Sequence, residues 1–152
     1  MRIGWTVVAL AAVALGGCQS PGASEGAVVT EPASSLAEVA VGEPFTLAPG
    51  DAARVTGTDL AVRFVGVDGD SRCPVDVTCV WEGDAAVVIE TELGEARQSW
   101  RLHTPGESVG PRTAGVGGLV LELVGLAPAP RSEAPIGPDA YRATLTARPA
   151  AD

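Results

Sequence analysis

The sequence predicts an all-β domain, a small antiparallel β-sandwich or a partly closed barrel, preceded by an export signal and a tether. Three observations carry this reading. Apolar and polar residues alternate with a period of two through the segments between Phe45 and Ala147. Turn chemistry rich in Gly, Pro and Asp punctuates those segments about every ten residues. Two closely spaced cysteines, Cys73 and Cys79, sit in the middle of the pattern and suit a short disulfide loop.

The chain opens with a bacterial lipoprotein signal over residues 1–17. Arg2 supplies positive charge, an apolar run extends from Ile3 to Leu15, and Leu15-Gly16-Gly17-Cys18 forms a lipobox. The run is too short for a membrane span of about twenty residues. The expected product begins at Cys18 with lipid on its sulfur; the alternative is an ordinary secretory signal cleaved nearby. Acyl chains bury about 0.8 kcal/mol per methylene, so the lipid would hold the protein on the membrane without the chain crossing it. Gln19 after the cysteine favours the outer membrane in a diderm cell; in a monoderm the address is the outer face of the cell membrane.

From Cys18 to Val41 the chain is rich in Ala, Ser, Pro, Gly and Glu and reads as a tether reaching roughly 25 Å. Residues 42–148 are then one domain, large enough for one modest core, with residues 149–152 as a tail. All ten basic residues are arginines against nineteen acidic ones, and loss of Arg2 with the signal makes the formal charge of −9 one unit more negative. A chain with this balance and no basic stripe excludes nucleic acid as a partner, and an anionic membrane surface repels the domain.

Within the domain, Phe45–Leu47 and Ala53–Thr56 are short strands around the turn residues Pro49-Gly50-Asp51. Leu60, Val62 and Phe64 share one face; the apolar phase then shifts to Val65 and Val67 around Gly66, which predicts a bulge or burial on both faces. A strand from Val80 to Thr91 leaves the cysteine loop, and a turn at Glu92–Glu95 returns it along Ala96–His103, with Trp100 and Leu102 inward and Arg97, Ser99, Arg101 and His103 outward. Residues 104–118 form a glycine-rich connection. Leu119–Leu126 is the most hydrophobic strand and is expected to be central; Tyr141–Ala147 turns Tyr141, Ala143 and Leu145 inward, and the prolines between these two strands imply a long crossover.

The loop itself, DSRCPVDVTCVWEGDA from Asp70 to Ala85, is the most informative stretch. An exported protein meets an oxidising compartment, and with Cys18 lipidated the cysteine count is even, so Cys73 and Cys79 are expected to pair. Closing so short a loop contributes about 2 kcal/mol, so the bond shapes the loop more than it holds the fold. Pro74 stiffens it, Val75, Val77 and Val80 offer alternating apolar contacts, and Trp81 is read as a core residue, with an exposed binding aromatic as the alternative. The motif Asp70-Ser71-Arg72-Cys73-Pro74, followed by Val77, Cys79, Trp81 and Gly83, resembles one found in uncharacterised small bacterial lipoproteins and secreted proteins. A weaker likeness covers LVLELVGLAPAP and DAYRATLTA. The resemblance spans residues 42–147 and implies a single all-β domain, with no activity and no catalytic residue attached.

Catalysis needs a nucleophile, a base and an orienting group. His103 is the sole histidine, on an outward strand position with Ser99 on the same face, and neither lies in a hydrolase signature, so no catalytic residue and no cofactor is assigned. A metal site is the alternative: Asp68, Asp70 and Asp76, with Glu82 and Asp84, gather oxygen ligands suited to calcium. The EF-hand pattern breaks at once, however, with Arg72 at a ligand position and Cys73 where glycine is required. Zinc or copper on Cys73, Cys79 and His103 conflicts with a disulfide. The remaining class is binding. A pinned loop on an anchored sandwich would present Ser71, Arg72, Val75, Asp76 and Thr78 to an extracytoplasmic protein, as an inhibitor presents a loop to an enzyme cleft. The competing view is that the motif only stabilises a hairpin.

Overall fold

The computed structural model describes residues 36–106 and 110–151. The lipobox, Cys18 and most of the tether lie outside the described residues. Among the described residues nine strands follow in order: β1 Ala37–Val39, β2 Phe45–Leu47, β3 Ala52–Val55, β4 Leu60–Asp70, β5 Ala85–Leu93, β6 Ala96–His103, β7 Thr113–Val116, β8 Leu119–Ala127 and β9 Arg142–Pro149. They form a five-stranded sheet, β1-β3-β4-β5-β6, and a four-stranded sheet, β2-β9-β8-β7. Every pairing is antiparallel except β1 with β3. The two sheets stay separate, so the sandwich is the architecture and the barrel is not.

Alternation places the core. Val55, Leu60, Val62, Phe64, Val87, Ile89 and Leu102 from the first sheet meet Phe45, Leu47, Leu121, Leu123 and Leu145 from the second, all buried. Burial of such side chains at about 25 cal/mol per Å² is the main favourable term in a domain of this size. Two buried threonines at the core boundary are satisfied: Trp100 Nε1 donates to Thr91 Oγ1 at 2.8 Å, and the Ala85 amide donates to Thr104 Oγ1 at 3.0 Å. The phase shift near Gly66 is a bulge between Phe64 and Gly66, a second follows between Val67 and Gly69, and β8 has its own between Leu123 and Gly125. These bulges leave Val65 and Val124 facing out.

The structure corrects the sequence reading in four places. Ala37–Val39, assigned to the tether, is a strand that adds in parallel to the edge of β3. The glycine-rich connection contains β7, whose Ala114 and Val116 are buried. The proline-rich segment after β8 makes no crossover, because β8 and β9 are antiparallel neighbours and the segment is their connection, with a short 3-10 turn at Pro138–Ala140. Finally, β5 starts at Ala85 and not at Val80. Residues between Asp70 and Ala85 are therefore all connection, and that connection sits at the end of the sandwich where β8 ends and β9 begins.

Candidate functional site

The loop grows from a continued ladder. Beyond the last β4–β5 pair, the Ser71 amide donates to the Asp84 carbonyl at 2.8 Å and the Cys73 amide to the Glu82 carbonyl at 2.8 Å. Gly83 permits this stem: its φ is +63°, and a Cβ there would lie 1.9 Å from the Ser71 carbonyl oxygen. Across the stem Cys73 and Cys79 are bonded, with Cα atoms 5.9 Å apart. The predicted disulfide is present.

The half of the loop nearest β4 is built into the fold. Arg72 Nε and Nη2 donate to the two oxygens of Asp70 at 2.9 and 2.6 Å, a bidentate pair. The same guanidinium donates from Nη1 to the Leu126 carbonyl at 2.6 Å and from Nη2 to the Pro128 carbonyl at 3.0 Å. It thus ties the end of β4 in one sheet to the end of β8 in the other. Tyr141, at the start of β9, donates its hydroxyl to Asp70 Oδ2 at 3.2 Å. The side chains of Arg72 and Asp70 are only 14% and 12% exposed. Burial alone would raise the Asp70 pKa, but the hydrogen bonds and charge of Arg72, with help from Tyr141, outweigh it and hold the carboxyl below its ordinary value of 3.8. Burial and the Asp70 carboxylate push the Tyr141 hydroxyl above its ordinary 10.0. Further along, the Val75 amide donates to the Pro130 carbonyl at 3.0 Å, and Asp76 accepts from the Ser132 amide at 2.9 Å and its hydroxyl at 2.6 Å. Those bonds lower the Asp76 pKa.

The other half is displayed. After the Val77 amide meets the Pro74 carbonyl at 3.3 Å, neither Thr78, Val80 nor Trp81 hydrogen-bonds another element among the described residues. Val75 is 60% exposed, Val77 48%, Val80 90% and Trp81 77%. The expectation that Trp81 belongs to the core is therefore overturned, and the valines do not pack inward. The reason is that β5 begins only at Ala85, so Trp81 lies in the connection and not on the strand's inner face. The candidate contact residues divide accordingly. Val75 and Thr78 face solvent, Arg72 and Asp76 are consumed by internal bonds, and Ser71 turns its hydroxyl to the Asp84 carbonyl at 3.0 Å. Val77, Val80 and Trp81 are the surface residues that sequence reasoning placed elsewhere. Their signal was the missing alternation between Cys79 and Ala85.

The carboxylates once grouped as metal ligands are distributed among separate partners. Asp68 pairs with Arg101, Asp70 with Arg72, Asp76 with Ser132 and Asp84 with His103. Among the described residues no three acidic, histidine or cysteine side chains converge on a common point. His103 is not the solvated strand residue expected. Its Nδ1 meets Asp84 Oδ2, its amide donates to the Pro111 carbonyl at 2.9 Å, and Gly110 packs against the ring so closely that a Cβ would lie 2.2 Å from Nε2. The pair braces the loop stem. A separate shallow groove of about 390 Å³ on the outer face of the five-stranded sheet, between Leu36, Ala61, Arg63, Glu90 and Arg97, contains none of these residues.

No family model, curated protein or solved structure matches the chain.

Proposed function

We propose that the protein is an envelope lipoprotein, anchored through lipid on Cys18, whose β-sandwich binds an extracytoplasmic protein and catalyses nothing. The observation that carries this reading is the exposure of Val80 and Trp81 on a loop whose base is locked to both sheets. A tryptophan offers 150 to 250 Å² of contact area and two side-chain torsions, and tryptophans dominate the energetics of protein interfaces. Holding it on a pinned loop removes ordering cost before the partner arrives. The Asp84–His103 pair supports the non-catalytic part, because the ring edge that a base would use lies against Gly110.

The test uses the full chain in the cells that make it, with a chemical cross-linker and recovery of adducts. The wild-type protein is expected to form one dominant protein adduct, and Trp81→Ser to lose about nine-tenths of it. The same variant keeps its melting temperature within about 2 °C, because an exposed side chain contributes little to stability. An adduct unchanged by Trp81→Ser refutes the loop as the contact.

A further inference from the structure

We infer that the partner of the displayed half-loop is a cationic protein with an apolar cleft rimmed by lysine or arginine; this rests on the reading of the loop as a binding element. The tip carries Val77, Val80 and Trp81, exposed apolar side chains interspersed with Thr78 and Cys79, and Val75 is exposed just before it at the end of the clamped half. Around it the displayed charges are mostly carboxylates. Glu82 follows Trp81 directly, and Glu133 follows Ser132, the residue that holds Asp76. Arg131 is the neighbouring cation. Arg72, whose position would place a second positive charge at the loop, is turned inward and neutralised by Asp70. The fold thus pairs Arg72 with Asp70 and leaves Glu82, next in the chain to Trp81, exposed together with Asp76 and Glu133, on a chain of net charge −9.

That arrangement selects among occupants. An anionic lipid surface repels carboxylates placed beside the inserting side chains. A second copy would bring like charges together around the same tip. A protein cleft with apolar walls and a basic rim desolvates Trp81 and Val80 while pairing Glu82 and Glu133, and the charges steer the encounter.

The experiment places a photoreactive phenylalanine analogue at Val80 of the full-length lipoprotein in its own cells, with the same probe at the exposed Thr56, beyond the far end of β4, as the control. Mass spectrometry identifies the adduct. The expected adduct is a protein of net positive charge, cross-linked within an apolar cleft. Its yield is expected to fall about fivefold in a Glu82→Gln, Glu133→Gln double variant, and to fall again when isolated envelopes are irradiated at roughly 0.5 M instead of 0.05 M salt. An adduct with phospholipid, with a second copy of the chain or with an acidic protein overturns the inference. Yield insensitive to salt and to the double variant, but lost on Trp81→Ser, leaves the loop as the binding element and removes the charge argument. Labelling from Val80 no stronger than from Thr56 removes both.

Discussion

The two halves of the Cys73–Cys79 loop are built differently, although they are of nearly equal length and closed by one bond. The half from Arg72 to Asp76 makes hydrogen bonds to Leu126 at the end of β8 and to Pro128, Pro130 and Ser132 in the connection that follows it. The half from Val77 to Trp81 makes none to another element among the described residues and turns its apolar side chains outward. The first half belongs to the fold; the second is held by the disulfide and by the Gly83 stem. The difference teaches that loop rigidity and loop display come from separate devices, and each device can be removed alone.

Breaking the first half has the largest effect on stability. Arg72→Ala leaves Asp70 beside Tyr141 without its counter-charge and removes the bonds that tie the loop to the carbonyls of Leu126 and Pro128. Solvent screens part of the pair, so the expected loss is about 2 kcal/mol, seen as a melting temperature lower by roughly 8 °C. Hydrogen exchange of the Val75 amide, which donates to Pro130, should accelerate in the same variant. A melting temperature within 2 °C of wild type would show that the guanidinium clamp is ornamental.

Breaking the second half costs less stability and more function. Replacing Cys73 and Cys79 together by serine should lower stability by about 2 kcal/mol or less, because the closed loop is short. The Val75 amide should remain protected, while the Val80 and Trp81 amides exchange freely and the adduct from Val80 is lost. Equal loss of protection in both halves would mean that the disulfide also holds the clamped side, contrary to the comparison.

The smallest effect sharpens how the clamp works. Asp70 titrates below 3.8 in the folded chain, so as pH falls the unfolded chain takes up this proton first, and the stability supplied by the carboxylate is lost through the interval below about pH 4. Tyr141 is raised above 10.0; its contribution is complete below that value and is lost as pH rises through the folded-state pKa. The gap in melting temperature between wild type and Asp70→Asn should be constant from about pH 5 to pH 9 and narrow below about pH 4. A gap that persists at pH 3 would assign the effect of Asp70→Asn to lost packing and not to charge.

The sheet elements show what kind of signal survives in a sequence. Period-two alternation is a local property, so β2, β4, β6, β8 and β9 could be read from residues such as Leu60, Val62 and Phe64, or Tyr141, Ala143 and Leu145. The interior place of β8 followed from its hydrophobicity, and the pairing of Cys73 with Cys79 from their closeness in the chain. β1 and β7 were hidden because Ala37–Val39 and Thr113–Val116 each hold a single large apolar side chain in Ala- and Gly-rich surroundings, whereas the equally short β2 sets Phe45 and Leu47 on one face.

By itself, then, the amino-acid sequence determined the all-β class, the strands long enough to alternate and the position of the disulfide loop. Tertiary structure decided how the loop is held and which of its side chains it displays. Arg72 lies 54 residues from Leu126 and 56 from Pro128, and Asp76 lies 56 from Ser132. No local pattern encodes contacts at such separations; they exist because β4 and β8 end at the same edge of the sandwich. The same packing turned Arg72 onto internal partners, tied the exposed Asp76 to Ser132 and left Trp81, read as core, facing solvent. Whether a side chain near a strand end is buried depends on where the strand starts and stops, and β5 starts at Ala85, past Trp81, while the close approach of Gly83 to Ser71 in the stem exists only once the β4–β5 ladder has formed.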